Sequence, residues 1–488
     1  MGAGPAGLTA AYELGKHQVP VTVLEQDQRY VGGIARTVEH NGYRFDIGGH
    51  RFFSKNQEVE DLWTEILGDE MLVCSRLSRI YYRGKYFDYP LKAFNALRSL
   101  GPVETVRCML SYGWAKVHPR RPVRSLDDWV TNQFGKRLFQ IFFKTYTEKV
   151  WGIPTTELSA DWAAQRIKGL DMLTVIRSAL LPSRKPAGGN RADVIKTLID
   201  EFRYPRLGPG MLWERVQRLL AERGEPVLMG RRVESVAHQG GAVTSVTAVD
   251  RDGNRTQHAG TDFVTSLPIR ELINALDPPA PAEVREAASK LSYRDFLTVA
   301  LIIDEAQLFP DNWIYVHEPA VKVGRIQNFK AWSRWMVPDQ TKCCLGLEYF
   351  CFEGDGLWTS SDEDLIALAT DELDRLGMVP RAKVIDGAVV RQPKAYPVYD
   401  DEYLEHLAVI RQWVKGALPN LHFAGRNGMH KYNNQDHSMM SALVVARNIA
   451  LGAGLDPWKV NADAEYHEEM REGDADPSGR AVPDRIAS

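Results

Sequence analysis

The first residues able to do chemistry stand at the very start of the chain, in MGAGPAGLTAAYEL. Gly2, Gly4 and Gly7 form a G-x-G-x-x-G turn, and a helical pattern follows at once over Ala6 to Gln18. Such a turn aims backbone N–H groups and the positive end of a helix at a pyrophosphate, with glycines allowing the anion close to the backbone. Glu25 closes the next strand pattern, VPVTVLEQD (Val19 to Asp27), where a carboxylate accepts ribose hydroxyls and disfavours a 2′-phosphate. Gly32, Gly33 and Arg36 add a second backbone-close turn with a cation. Far downstream, HFAG ends another strand pattern, and Gly425 and Arg426 lead into a long helix from about His437. Any one of these turns alone fits an ordinary helix–strand unit. Together they suit a large, two-ended dinucleotide, and FAD is such a ligand.

A turn of this kind follows a buried strand, yet only Met1 precedes Gly2. That strand would be central in a parallel sheet and buried on both faces. The reading therefore expects about five to eight further apolar residues upstream, with Met1 a truncated or misassigned start.

The elements that must position these residues follow from pattern and composition. The 488 residues are 44% hydrophobic and 25% charged, the balance of a soluble globular protein of two or three domains. A net charge of −3 supplies no field that would draw nucleic acid. Five cysteines without metal spacing suit reduced thiols and a cytoplasmic location. His430, Asp436 and His437 lack the spacing of a helical ligand pair, and no metal is expected. There is no apolar run of membrane-spanning length. Leu170 to Pro182, which carries Asp171 and Arg177, is too short to cross a bilayer, and peripheral membrane contact through it stays open. The fold class is α/β. A Rossmann-like FAD-binding domain, its first strand truncated, is expected from 1–75, 206–275 and 385–460. An inserted helical domain covers 98–205, and a sheet-rich substrate domain covers 76–97 and 276–384. RIYYRGKYFDYP reads as a hairpin about Arg83 and Gly84. The basic loop Ser183 to Asp193 reads as mobile, and 463–488 as a disordered tail.

GAGPAGL, Glu25, YVGGIART and the C-terminal FAGR before a helix resemble the FAD-binding fold shared by amine oxidases, protoporphyrinogen oxidases and phytoene desaturases. DIGGHRFFSK, FKTYTEKVWGIPTTEL, WAAQR and GRNGMHKYNNQDHSMM narrow the resemblance to UDP-galactopyranose mutases. It touches motifs from residue 2 to about 445, nearly the whole chain. It implies that His50 sits against the isoalloxazine ring and that Tyr146 and Trp151 hold a uracil ring. It implies that Arg166 and Arg325 bind the diphosphate, with Tyr396 and Tyr432 donating to the same phosphates. Gly48, Gly49, Val233, Asp436, His437 and Ser438 join the cofactor-binding set, and Asn434 and Trp332 the substrate side. Read without the resemblance, Tyr146 and Trp151 are core aromatics and Arg166 is a solvated helix residue.

The implied reaction is a pyranose–furanose interconversion of a nucleotide sugar, an isomerase step serving cell-surface polysaccharide synthesis. Reduced flavin N5 attacks the anomeric carbon, UDP leaves, and the sugar ring opens and recloses at the other size. His50, Arg166, Arg325, Tyr396 and Tyr432 are its catalytic set. An external donor such as NAD(P)H is implied for the reduced flavin, and self-association into a homo-oligomer is expected.

Three features depart from the mutase pattern. Trp332 replaces a tyrosine seven residues after the second diphosphate arginine, Arg51 follows His50, and Ser183 to Asp193 carries an unusual basic run. They keep a second reading open, an FAD-dependent oxidoreductase acting on a sugar, an amine or a polyene- or porphyrin-like substrate. A third is a flavin-binding interaction protein without activity.

Overall fold

The computed structural model describes residues 1–89, 91, 96, 99–158, 160, 201–400 and 402–460. Arg166, the segment Leu170 to Pro182, the loop Ser183 to Asp193 and the tail 463–488 lie outside the described residues.

The glycine turn does open a helix, Pro5–Lys16. Proline stands in its first turn, where a missing N–H breaks no intrahelical bond. Ala6 and Ala10 meet Ala424, Ala442 and Val445, small side chains that let this helix lie close to the last one, Gln435–Leu451. The two ends of the chain thus build one unit.

Met1 to Ala3 run between two short parallel ladders. Val23–Leu24 pairs with Val227–Leu228, and Phe263–Thr265 pairs with Leu421–Phe423. Gly2 N–H donates to Leu24 O at 2.8 Å, and Ser266 N–H donates to Met1 O at 3.1 Å. These first residues therefore occupy the central strand position that the turn requires. The strand expected over Val19 to Asp27 is laddered only at Val23–Leu24. The Val19 N–H is taken by Leu14 O at the helix end, and the Val21 N–H by the Glu225 carboxylate at 3.1 Å.

The largest sheet has seven strands in the order Val384–Pro397, Tyr293–Ile303, Cys343–Cys351, Arg325–Asn328, Trp313–Val316, Ser78–Tyr82 and Lys85–Asp88. Its terminal hairpin turns on Arg83 and Gly84, both at positive φ (51° and 73°), as a tight two-residue turn demands. Val384–Pro397 makes Tyr396 a residue of this sheet, paired with Arg294. Side chains alternate between the faces of a strand. Leu297, Val299, Ile326, Leu345 and Leu347 pack on helix Asp362–Arg375. Tyr315, Arg325 and Glu348 are cross-strand partners in one row of the opposite face. Register alone thus gathers an arginine, a glutamate and a tyrosine.

The expected helical region holds Pro102–Val117, Leu126–Phe134, Lys136–Phe139 and Thr145–Trp151 around a core of Cys108, Leu126, Val130, Phe139 and Trp151. Residues Glu201–Pro205 instead form a strand antiparallel to Met71–Ser75.

Candidate active site

At the nucleotide end, Glu25 secures the glycine turn. Its Oε2 accepts the Ala3 N–H at 2.7 Å and its Oε1 the Asp27 N–H at 2.8 Å. A β-carbon on Gly7 would lie 1.8 Å from the Gly2 carbonyl oxygen, so only glycine fits there. Gly32 joins the turn through its N–H to Ala3 O at 2.7 Å, and Gly33 backs onto Gly4. Arg36 donates to Gly33 O at 3.0 Å and to Gln392 Oε1 at 2.8 Å, while its buried Nε has no partner among the described residues. Burial lowers its pKa, against the pull of Asp27 and Glu25. Val233 pairs with Ala248 beside Arg231, whose N–H donates to Glu25 O at 2.7 Å.

The C-terminal turn closes this end. The Gly425 N–H donates to Ser441 Oγ at 3.0 Å, and Arg426 is held by Asn433 O and Ala395 O at 2.8 and 2.9 Å. Asp436 accepts from Ser54 Oγ at 3.2 Å, and His437 Nδ1 from the Asn434 N–H at 3.3 Å. The Ser438 N–H donates to Asn434 O at 3.0 Å. These four residues fasten the start of helix Gln435–Leu451 to its surroundings. The glycine turns, the helix start and the unpartnered Arg36 Nε fit a diphosphate-bearing cofactor such as FAD.

The centre of the site lies over Gly48 (φ +88°). From a β-carbon position there, His50 Cε1 is 3.6 Å away, Arg325 Nη2 3.8 Å and Phe296 Cζ 3.9 Å. His50 Nδ1 is buried with no partner among the described residues. Burial, reinforced by the charges of Arg426 and Arg325, lowers its pKa to about 3, so the imidazole is neutral. Arg325 Nε donates to Glu348 Oε2 at 2.5 Å, and Gln327 donates to the other oxygen. Gln327 Oε1, also unpartnered among the described residues, lies 3.6 Å from a β-carbon position on Gly49. Burial opposes the Arg325 charge, but Glu348, Tyr146, Tyr396 and Tyr315 outweigh it and push its pKa well above the usual range. Burial raises the Glu348 pKa, against Arg325 and Gln327.

Aromatic rings complete the group. Tyr146 stacks on His317 at 5.1 Å and 11°, and meets Tyr315 edge-on at 5.3 Å. Tyr396 and Tyr432 stack at 5.5 Å and 16°, with the Arg426 guanidinium 5.1 and 5.3 Å from their rings. Trp151 is buried, its indole 6.4 Å from Tyr432. The fold therefore brings together His50, Tyr146, Trp151, Arg325, Tyr396 and Tyr432, drawn from widely separated parts of the chain.

Trp332 corrects the expectation placed on it. It is buried among Phe202, Tyr204 and Trp313, and its indole N–H donates to Asn312 O at 2.9 Å. No donor is left for a phosphate, and the residue underpins Gly49 by packing. Arg51 lies over the Phe53 ring at 5.6 Å.

Sequence reading missed Glu348, Gln327, Tyr315 and His317. Glu348 carried a usable signal. It is the one acid in CCLGLEYFC, a run apolar enough to be a fully buried strand, where a carboxylate must find a cation or shed its charge.

These features define an FAD-binding α/β flavoprotein. The chain belongs to the flavin-containing amine oxidoreductase family, whose model matches residues 5–450, and its cofactor is FAD. Its fold is similar to that of a reduced UDP-galactopyranose mutase, with a TM-score of 0.79 and 21% identity over 96% of this chain and 98% of that one. A protein assigned as a protoporphyrinogen oxidase from Exiguobacterium sp. 255-15 matches with a TM-score of 0.67 and 17% identity over 92% and 98% of the chains. A triple mutant of putrescine oxidase gives 0.58 and 16% over 93% and 98%.

Proposed function

We propose that this flavoprotein is a sugar-nucleotide mutase interconverting the pyranose and furanose forms of a UDP-linked sugar. The observation that carries the reading is the convergence of Arg325, Tyr396, Tyr432 and Arg426 beside a neutral His50, with Tyr146 and Trp151 in the same cluster. A nucleotide diphosphate carries two negative charges, and a guanidinium fork matches its oxygens. Each charge-assisted hydrogen bond contributes about 1.5–3 kcal/mol. Arg325 and the two tyrosines, joined in this reading by Arg166, hold the diphosphate and stabilise the charge it gains as it leaves. Tyr146 and Trp151 take the base. Binding energy from the nucleotide then orients the sugar, so no side-chain nucleophile is needed. Bound flavin in its reduced state supplies the nucleophile, with an external donor such as NAD(P)H maintaining that state. Neutral His50 offers its unpartnered Nδ1 as a hydrogen-bonding position rather than a charge.

A second reading, net oxidation of a sugar, an amine or a polyene- or porphyrin-like substrate, draws on Trp332, which offers no donor to a phosphate. One experiment separates the two. Dithionite-reduced protein is incubated anaerobically with UDP-galactose or UDP-galactofuranose, and the products are followed by chromatography. Interconversion with the flavin still reduced supports the mutase. No interconversion, with oxidised flavin reduced by an amine or polyene, sinks it.

A further inference from the structure

Helix Pro102–Val117 is apolar on two opposite faces, and among the described residues only one of them is covered. Cys108 packs into the helical core, and Tyr112 and Ala115 are buried on the same side. On the other side Val103, Val106, Leu110, Trp114 and Val117 repeat at helical spacing and are 66%, 57%, 70%, 68% and 73% exposed. Gly113, on the same side, has no atom of the described residues within 4 Å of where its β-carbon would be. A helix apolar all round normally lies in a core. Here the open stripe sets five exposed apolar side chains in one row, the kind of patch that marks an interaction site.

The charges beside the stripe are mostly basic. Arg107 and Lys116 flank it, Arg121 and Arg124 follow exposed beyond its end, and His118 stacks on Trp114 at 4.1 Å. The neighbouring acids are engaged: Glu104 pairs with Arg137 and Arg107, and Asp127 and Asp128 pair with Arg120. An apolar stripe with an exposed tryptophan and cationic flanks is the composition of a helix that lies in a lipid interface. No described helix is long and apolar enough to cross a membrane. A second copy of the chain is a poorer occupant. It would cover the stripe but leave the cationic flanks without counter-charges, since the neighbouring acids are already paired.

We propose that this face of Pro102–Val117 docks the protein on an anionic lipid surface, with the stripe in the acyl–headgroup boundary and Lys116, Arg121 and Arg124 on the headgroups. The test uses the full-length, flavin-loaded protein in flotation with phosphatidylcholine vesicles, with and without phosphatidylglycerol. The protein should float only with the anionic vesicles, and the floated fraction should fall as salt screens the charges. Leu110→Asp should weaken binding about tenfold or more by charging the buried stripe. Arg121→Glu with Arg124→Glu should weaken it as well, and both variants should keep the flavin spectrum of the parent. Failure to float with phosphatidylglycerol, or undiminished binding by Leu110→Asp, overturns the proposal. So does a concentration-dependent dimer, seen by light scattering, that Leu110→Asp dissolves while the parent leaves vesicles alone.

Discussion

Arg325 is tied both to stability and, in the proposed function, to substrate, and the two roles can be separated. Glu348 is fully buried, with Arg325 and Gln327 as its donors. Arg325→Met would strand that carboxylate with one neutral donor. Breaking a buried pair from one side costs about 3–5 kcal/mol, because the partner's charge loses its compensation. Burial already raises the Glu348 pKa, and removing the guanidinium raises it further. The carboxyl then escapes part of the penalty by binding a proton, so the loss should deepen as pH rises through its folded pKa. Adding Glu348→Gln removes the stranded charge while keeping an acceptor for Gln327, and most of the lost stability should return. Nucleotide binding should behave differently. Both variants lack the guanidinium, and losing one charge-assisted bond of about 1.5–3 kcal/mol weakens the UDP Kd roughly tenfold to 150-fold. Urea denaturation of the flavin-loaded proteins and calorimetric titration with UDP measure the two effects. A double variant no more stable than Arg325→Met would refute the stranded-charge account. Unchanged UDP affinity in both would remove Arg325 from the binding site, and loss of flavin would move it to the cofactor.

Other expectations follow from single residues. Gly7→Ala pushes a methyl group into the Gly2 carbonyl and should abolish flavin retention, visible as loss of the absorbance near the visible maximum in the purified protein. Asp46, buried and bonded to Tyr204 and Thr37, has its pKa raised by burial to about 7 from an unfolded value of 3.8. Between those pH values the folded state keeps a proton that the unfolded state has released. Stability conferred by this group is therefore present below pH 4 and lost as pH rises to about 7. Relative to the parent, Asp46→Asn should gain up to about 4 kcal/mol between pH 4 and pH 8, and a relative loss over that range would contradict the assignment. Lys149 donates to Val316 O, Glu318 O and Val323 O, locking the helix that carries Tyr146 to the sheet turn that carries His317. Lys149→Met should cost about 2 kcal/mol by leaving buried carbonyls unsatisfied, read as a lower Tm with the flavin still bound.

Much of the nucleotide end was legible in the chain itself, because its determinants are local. A glycine turn, the helix it opens and an acid closing the next strand lie close together in sequence, and each residue type is dictated by the backbone geometry around one small loop. The hairpin at Arg83 and Gly84 was legible for the same reason. Val19 to Thr22 was not. Their alternation suits a strand, but a helix end and the remote Glu225 claim two of their N–H groups. The role of Trp332 was decided by Asn312 and three aromatic rings that no local pattern announces. The centre of the site was legible only through motif resemblance, residue by residue. Spacing says nothing about the approach of His50 to Arg325, or of Tyr396 to Tyr432. Those contacts depend on the register of Arg325 against Glu348, on the bulge beside Arg294, and on the packing of the last helix onto the first. Sequence by itself determined the cofactor class, since one tight turn needs glycine and one ribose position favours an acid. Tertiary structure alone decided which charges are paired and which polar atoms stay free, because burial and cross-strand register set both.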